Sequence, residues 1–513
     1  MQANYRDHKY TVGQWDVIDI PFTAVKEPAS PFSVTFGGVF TGPDGATMTV
    51  PGFYDGQCNF VIRFAPPAVG RWSFITYASL PSLVNYQGTI TCQAQTDATR
   101  HGPIVLHPEK QQRFAYADGT PYFLMAFECD WLFALDAGNV DGLPKTLQLV
   151  ESIALHGFNH VVMNVFAYDV SWKKDPNVRS EHEYGASAAY PFGGSNDDPD
   201  FSELNVAYFQ HLDRVVRLLD EKGVAAHLMI YVWNKLVQWP DMYSEMDNTF
   251  FDYVITRYQA FPNIVWDISK EALGYGRCDM DYVIERLQRV RRLDAYQRLV
   301  TVHDYSFCRQ YPELVDFISI QTWCTDLYRK MLDVVVQHPD KPVFNIEHGG
   351  YEQGPYVVFT GDYIDARTCL ERNYACIFAG SYSTYYWQCT SWNVIVHDFQ
   401  NLEERQRPKL SYYHHAVELF SRYDFSQMTP LETRHSSGLE LSNGTDTYLF
   451  LIPKENYAIH LALPATLGEQ VMVTWFNPFT GEYVVSGLEQ ARTWHECISP
   501  WVGQMAVLIL ERG

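Results

Sequence analysis

The chain changes its hydrophobic rhythm twice. Up to about residue 97, short runs such as "PFSVTFGGVF", "CNFVIRFAPP" and "RWSFITYAS" are rich in β-branched and aromatic residues, with apolar and polar positions alternating through part of them. They are separated by "GPDG", "PGFYDGQ" and "PPAVG", which is turn chemistry. That pattern predicts antiparallel strands with one face in a core, a β-sandwich over residues 1–97. From about residue 98 the runs become nearly continuously apolar: "TPYFLMAF", "NHVVMNVF", "VAAHLMIYVW", "NIVWDIS", "RLVTVHDY", "VDFISIQTW", "KPVFNIEH" and "GSYSTYYW". Strands buried on both faces read this way, as in a parallel sheet. Between them lie segments with helical spacing. "YFQHLDRVVRLLDEKGV" gathers Leu212, Val215, Val216 and Leu219 on one face and stops at Gly223, and "DYVIERLQRVRRLDA" gathers Val283, Ile284, Leu287 and Val290. Eight strands alternating with helices predict a (β/α)8 barrel over residues 98–422. A doubly wound sheet is the alternative, but it would usually carry a Gly-rich phosphate loop after an early strand, and none is visible. The β texture returns in "TYLFLIPKEN", "YAIHLALP", "VMVTWFNPFTGEY" and "QMAVLILERG", predicting a second β-sandwich over 423–513. The expected fold class is therefore α/β: a (β/α)8 TIM barrel flanked by N-terminal and C-terminal β-sandwich domains.

In such a barrel the active site forms where the strands end, so the polar residues just past each run carry the candidate chemistry. The first run ends at Glu128, Asp130 and Trp131, the second at Asn164, Phe166 and Asp169. The third holds His227 and ends at Tyr231, Trp233 and Asn234; the fourth ends at Lys270 and Glu271. The fifth delivers His303 and Asp304, the sixth Gln321 and Trp323, the seventh Glu347 and His348, and the eighth Trp387, followed by Trp392. Carboxylates on opposed strands can divide the roles of acid and nucleophile, as in retaining glycoside hydrolysis. Trp side chains offer flat faces to sugar rings, and amides and His bind hydroxyls. Each assignment has a plainer counterpart. Glu271 could open a helix, where its charge suits the dipole. Glu128 and Asp130 could be ion-pair partners, Asp267 and His227 buried core groups, and the four Trp core filling. Glu347 precedes two glycines, on a tight loop that approaches something closely.

Composition narrows the field. The 513 residues exceed one compact domain. A net charge of −22 disfavours nucleic acid and anionic membrane surfaces as partners. No apolar run is long enough to span a bilayer, and the first twenty residues carry no leader pattern. Ten cysteines without a CxxC pair read as reduced thiols, so a cytoplasmic location is expected. No HExxH, GxSxG or Gly-rich nucleotide motif is present, so neither metal nor cofactor is implied. The segment from Ser171 to Phe201 follows the second strand and, with Tyr184, Tyr190 and Phe192 in it, is expected to overhang the mouth as an ordered lid.

The residues "PYFLMAFECDWLFALD", "PNIVWDISKEA" and "KPVFNIEHGGYEQGPY" resemble clan A of the glycoside hydrolases, and more closely the apiosidase-like (β/α)8 family and its endoglucanase relatives. The similarity runs over nearly the whole chain, since these relatives often carry an N-terminal β-sandwich and a C-terminal β domain. The resemblance implies Glu271 as general acid/base, Glu347 as nucleophile and Glu128 as a ligand of the sugar. One position departs from the clan pattern: Lys270 stands where many members have an Asn that binds the sugar 2-hydroxyl.

These readings converge on a retaining, exo-acting glycoside hydrolase whose partner is a small oligosaccharide or plant-type glycan. Homo-oligomers through the β domains remain open. The alternative is a non-catalytic carbohydrate-binding protein on a degenerate barrel; a lyase or transglycosylase is a third and thinner reading.

Overall fold

Each of the eight apolar runs forms a strand of one parallel barrel. These are β1 (Met125–Glu128), β2 (His160–Asn164), β3 (Ala225–Val232), β4 (Ile264–Lys270), β5 (Val300–His303), β6 (Ile318–Gln321), β7 (Val343–Glu347) and β8 (Tyr382–Tyr385). Their order is β5-β4-β3-β2-β1-β8-β7-β6. The ring closes where β5 meets β6, with Thr301 Oγ1 donating to Phe317 O (2.9 Å) and Asp316 N to Val300 O (2.9 Å). Every residue of β3 and β4 is buried, which is why these runs lack polar alternation. The structure, a computed structural model, describes residues 8–168, 171, 173–184, 190–233, 236–431, 435–463, 465–490 and 494–513.

The helices lie between the strands: α1 (Pro144–Leu155), α2 (Val206–Glu221), α3 (Glu245–Tyr258), α4 (Met280–Leu293), α5 (Tyr305–Gln310), α6 (Leu327–Gln337), α7 (Ala366–Phe378) and α8 (Leu410–Arg422). Asn205 caps α2 by accepting from Tyr208 N, and Asp279 caps α4 by accepting from Tyr282 N, each satisfying an otherwise unpaired helical donor. Beyond α2 the chain turns at Gly223, at φ +67°, a conformation that glycine adopts without steric cost.

Ahead of the barrel, a five-stranded and a three-stranded sheet face each other over Ile20, Phe40, Phe60, Phe64, Trp72 and Phe74. Arg63 joins this sandwich to the barrel: its guanidinium reaches Asp19 (2.7 Å) and Asp213 of α2 (2.9 Å), and Asp213 also takes Arg257 of α3 (2.7 Å). A short three-stranded sheet over residues 104–122, not foreseen from the sequence, leads into β1. Beyond α8, a six-stranded and a two-stranded sheet enclose Phe450, Ile452, Ile459, Leu461, Trp475 and Leu508. Among the described residues no helix is long and apolar enough to cross a membrane.

Candidate active site

Two barrel strands carry one residue more than a neighbour. In β4, Asp267 lies opposite Thr301 while Lys270 lies opposite His303. In β7, Asn345 lies opposite Ile320 while Glu347 lies opposite Gln321. An extra residue is a β-bulge, and it reverses the side from which the following side chains point. Asp267 faces the barrel interior, where it meets His227 (3.1 Å), and Phe344 packs there against His160 and His227. Three residues further along their strands, Lys270 and Glu347 also point inward and meet, Nζ to Oε1 at 3.1 Å. An unbroken pleat would send residues three apart to opposite faces. Glu271 then follows at φ +56°, a left-handed conformation that is uncommon and costly for a non-glycine residue. Its N–H donates to His303 O (3.2 Å), and α4 does not start until Met280. Glu271 therefore ends a strand; it does not open a helix.

Lys270 is the hub of the site. Its ammonium lies 3.2 Å from Glu128, 3.1 Å from Asp130 and 3.1 Å from Glu347, and all four groups are buried. Burial works against its charge, but Asp130, Glu347, Glu128 and Glu271 outweigh it and hold the ammonium well above the usual lysine range. Glu347 is gripped on its other oxygen by Gln321 Nε2 (2.7 Å) and the Tyr351 hydroxyl (3.1 Å). Burial, then the neighbouring Glu347, push the Glu271 carboxyl up, while Lys270, His303 and Gln321 moderate the rise. The two glutamates thus feel each other's charge across the one cleft that both line. Glu128 is pushed well above the carboxylate range by burial and then by Asp130, and its Oε2 has no hydrogen-bond partner among the described residues. Like charges this close cannot all ionise, so Glu128 and Glu271 are biased toward the neutral acid around one fixed cation.

The cleft above has a volume of about 110 Å³. It is lined by the expected Asp130, Lys270, Glu271, Gln321, Trp323, Glu347 and Trp392, and by Tyr275, Tyr351, Phe359, Tyr386 and Ser391, which the sequence reading missed. Gly349, at φ +83°, lets Trp323 close in, since a Cβ there would meet the indole at 2.8 Å. Trp392 sits at φ +53°, a second strained backbone beside the cleft.

The other candidates lie elsewhere. Trp131 and Trp387 are wholly buried, packed beside Phe133 and Phe399. Trp233 packs behind β3 on Tyr231. His348 is buried, with Gly350 N donating to its Nδ1 (3.2 Å), and burial and Arg372 lower its pKa to about 3. In these four the adjacent position faces the mouth or the core takes the ring. Asn164 is buried at the end of β2 with Oδ1 unpartnered. His303 lies under the cleft, Nε2 3.9 Å from Glu347, and Glu128 supports Lys270 from below. Asn234 and Asp169 lie outside the described residues, as do 172 and 185–189 of the expected lid. No described residue of that segment lines the cleft; Tyr190 and Phe192 pack into the main core instead.

Among the described residues, His182, His397 and Asp398 form one group close enough to hold a metal, with ligand atoms within 4.8 Å. Both ring nitrogens of His182 are already engaged, Nε2 with Asp398 (2.8 Å) and Nδ1 with the Tyr356 hydroxyl (3.1 Å). With Ile395 N donating to His182 O (2.9 Å), the group straps the loop after β2 to the loop after β8.

A pair of carboxyl groups lining one cleft, one gripped by a cation and the other biased toward its acid, has the division of labour that cleaving a glycosidic bond requires. The class is that of the glycoside hydrolases built on a (β/α)8 barrel. The chain belongs to the apiosidase-like family: the profile of the apiosidase-like catalytic domain matches residues 108–424. A domain of unknown function (DUF5060) matches residues 11–79, within the N-terminal sandwich. Among solved structures, a candidate glycoside hydrolase from Bacteroides vulgatus ATCC 8482 superposes with a TM-score of 0.77 at 19% identity, covering 98% of this chain and 100% of its own. A glycoside hydrolase family 5 protein from the same organism gives 0.61 at 16% identity, covering 80% and 94%. At these identities the likeness shows the fold. No curated protein matches the chain.

Proposed function

We propose that the protein is a retaining glycoside hydrolase that releases a single neutral sugar from the end of a small oligosaccharide or plant-type glycan. Glu347 attacks the anomeric carbon while Glu271 gives its proton to the departing oxygen, so the C–O bond breaks as a glycosyl ester of Glu347 forms. Glu271 then takes a proton from water, which attacks the anomeric carbon, breaks its bond to the Glu347 oxygen and frees the Glu347 carboxylate. The observation that carries this reading is that Glu271 and Glu347 line one cleft, close enough for the charge of Glu347 to raise the Glu271 carboxyl, with Glu347 held by Lys270 and Gln321. The reading expects their carboxyl groups roughly 5–5.5 Å apart, where an inverting pair would stand about 6.5–9.5 Å apart to admit a water.

The size of the cleft supports exo action: about 110 Å³ is well under the roughly 300–1,000 Å³ of sites that enclose larger ligands. Lys270 is the one cation among the described lining residues, and three carboxyl groups already share it, which favours a neutral sugar. A panel of aryl pyranosides and furanosides of both anomers finds the substrate, and proton NMR of the first product anomer tests the mechanism. Retained configuration is expected; inversion would refute double displacement. The second reading, a non-catalytic sugar-binding barrel, draws on Lys270 resting against the oxygen that must attack. Binding without hydrolysis across the whole panel would favour it.

A further inference from the structure

A column of buried polar side chains runs up the barrel axis beneath the site. The Tyr122 hydroxyl lies 3.1 Å from His160 Nδ1, His160 Nε2 lies 3.1 Å from His227 Nδ1, and His227 Nε2 lies 3.1 Å from Asp267 Oδ2. All four residues are at most 2% exposed. Phe317 and Phe344 wall the two imidazoles, so no solvent is at hand to satisfy them. The glycosidic step as written above uses none of these groups, yet burying three such side chains against a carboxylate is costly unless every hydrogen bond is made.

The top of the column explains its place. Asp267 Oδ1 accepts from His303 N (2.9 Å) and Ser269 N (3.2 Å). These are backbone donors at the bulge of β4, where the extra residue breaks the ladder with β5. Asp267 therefore caps the bulge from inside the barrel. Lys270 and Glu271 follow it directly, and Glu271 N is tied to the carbonyl of the same His303. With His227 donating through Nε2 to Asp267, its Nδ1 accepts from His160 Nε2–H, and the Tyr122 hydroxyl shares its one proton between His160 Nδ1 and Asn159 O (3.0 Å). Burial, then the neighbouring His227, hold His160 well below the usual histidine range, which keeps that ring neutral and able to accept.

We propose that Tyr122, His160, His227 and Asp267 form a positioning column, and that Asp267 and His227 hold the β4 bulge so that Glu271 meets the leaving oxygen. None of the four touches the reacting atoms; they act through the strand. The inference rests on the reading of Glu271 as acid/base.

The test compares phenyl and 2,4-dinitrophenyl glycosides of the one sugar cleaved fastest in the panel, using kcat/KM, which reports departure of the leaving group. A phenyl group needs the proton of Glu271; a dinitrophenyl group leaves without it. Asp267→Asn and His227→Leu should lose on the order of 10²-fold on the phenyl glycoside, the scale of a 1 Å misplacement, and only about threefold on the dinitrophenyl glycoside, where acid catalysis adds little. His227→Gln, whose amide can donate to Asp267 and accept from His160, should restore most of the loss. Where Asp267→Asn does not fold, the His227 pair decides. Equal losses on both glycosides in folded His227→Leu, with Glu271→Ala still selective against the phenyl glycoside, would overturn the positioning role alone. Full activity of Glu271→Ala on the phenyl glycoside would instead overturn the acid/base reading beneath it.

Discussion

Replacing Lys270 with methionine keeps most of the side chain's length and removes its charge. The ammonium lies 3.1 Å from Glu347, 3.1 Å from Asp130 and 3.2 Å from Glu128. A unit charge pair at that distance interacts by roughly 5 kcal/mol at an effective dielectric constant of about 20. Removing one member of a buried ion cluster destabilises a protein by about 3–5 kcal/mol, because the partners stay buried without compensation. Lys270→Met should lose about that much at pH 8. The deficit should shrink at pH 4. Lys270 is one of the groups that keep the Glu128 and Glu271 carboxyls from rising further. Without it both rise. A carboxyl whose pKa is raised by folding contributes its full stability below the unfolded value, and that contribution is lost as pH rises through the folded value. Urea unfolding at the two pH values reads the difference. The pH profile of kcat/KM offers a second check: its basic limb, set by Glu271 losing its proton, should move to higher pH. Equal deficits at pH 4 and pH 8, or a basic limb that moves down, would refute the electrostatic account of the site.

Two further outcomes follow from single residues. Glu352 is buried, accepts from Tyr385 OH (2.7 Å) and Lys409 N (2.9 Å), and burial raises its pKa from 4.5 to about 7. That shift of about 2.5 units removes roughly 3 kcal/mol of stability as pH rises from 4.5 through 7, so Glu352→Gln should flatten the change in urea midpoint between pH 5 and pH 8. Trp392 holds φ +53° at the cleft wall. Trp392→Gly should be more stable than Trp392→Ala by about 1 kcal/mol, since glycine bears that conformation without strain, while both lower kcat/KM on aryl glycosides.

The barrel was legible because its strands are buried on both faces, so "VAAHLMIYVW" and "NIVWDIS" appear as unbroken apolar runs. Their ends located Glu271 and Glu347, and the spacing of α2 and α4 was read to within two residues. What the sequence could not show is phase. Trp387 is the expected mouth residue of the eighth run, but its neighbour Tyr386 lines the cleft while Trp387 packs on Phe399. Glu347 was chosen together with His348, yet only Glu347 points inward. Adjacent strand residues face opposite sides, and the bulges in β4 and β7 reset which is which without any marker in composition. Tyr275, Tyr351 and Phe359 come from loops beyond the strand ends, where no periodicity applies; Tyr351, just past the Gly349–Gly350 turn, had the one usable signal. Asp267 and His227 were read as buried partners, and the structure pairs them with each other.

The division of roles between Glu347 and Glu271 has one direct test: the anomeric configuration of the product formed when azide rescues each alanine variant on a 2,4-dinitrophenyl glycoside. In Glu347→Ala, azide enters the space left by the carboxylate and displaces the aryl group in one step, so the glycosyl azide should be inverted relative to the substrate. In Glu271→Ala, Glu347 attacks first and azide displaces it in turn, so the glycosyl azide should keep the configuration of the substrate. The same configuration from both variants, or full activity of Glu347→Ala without azide, would contradict the account.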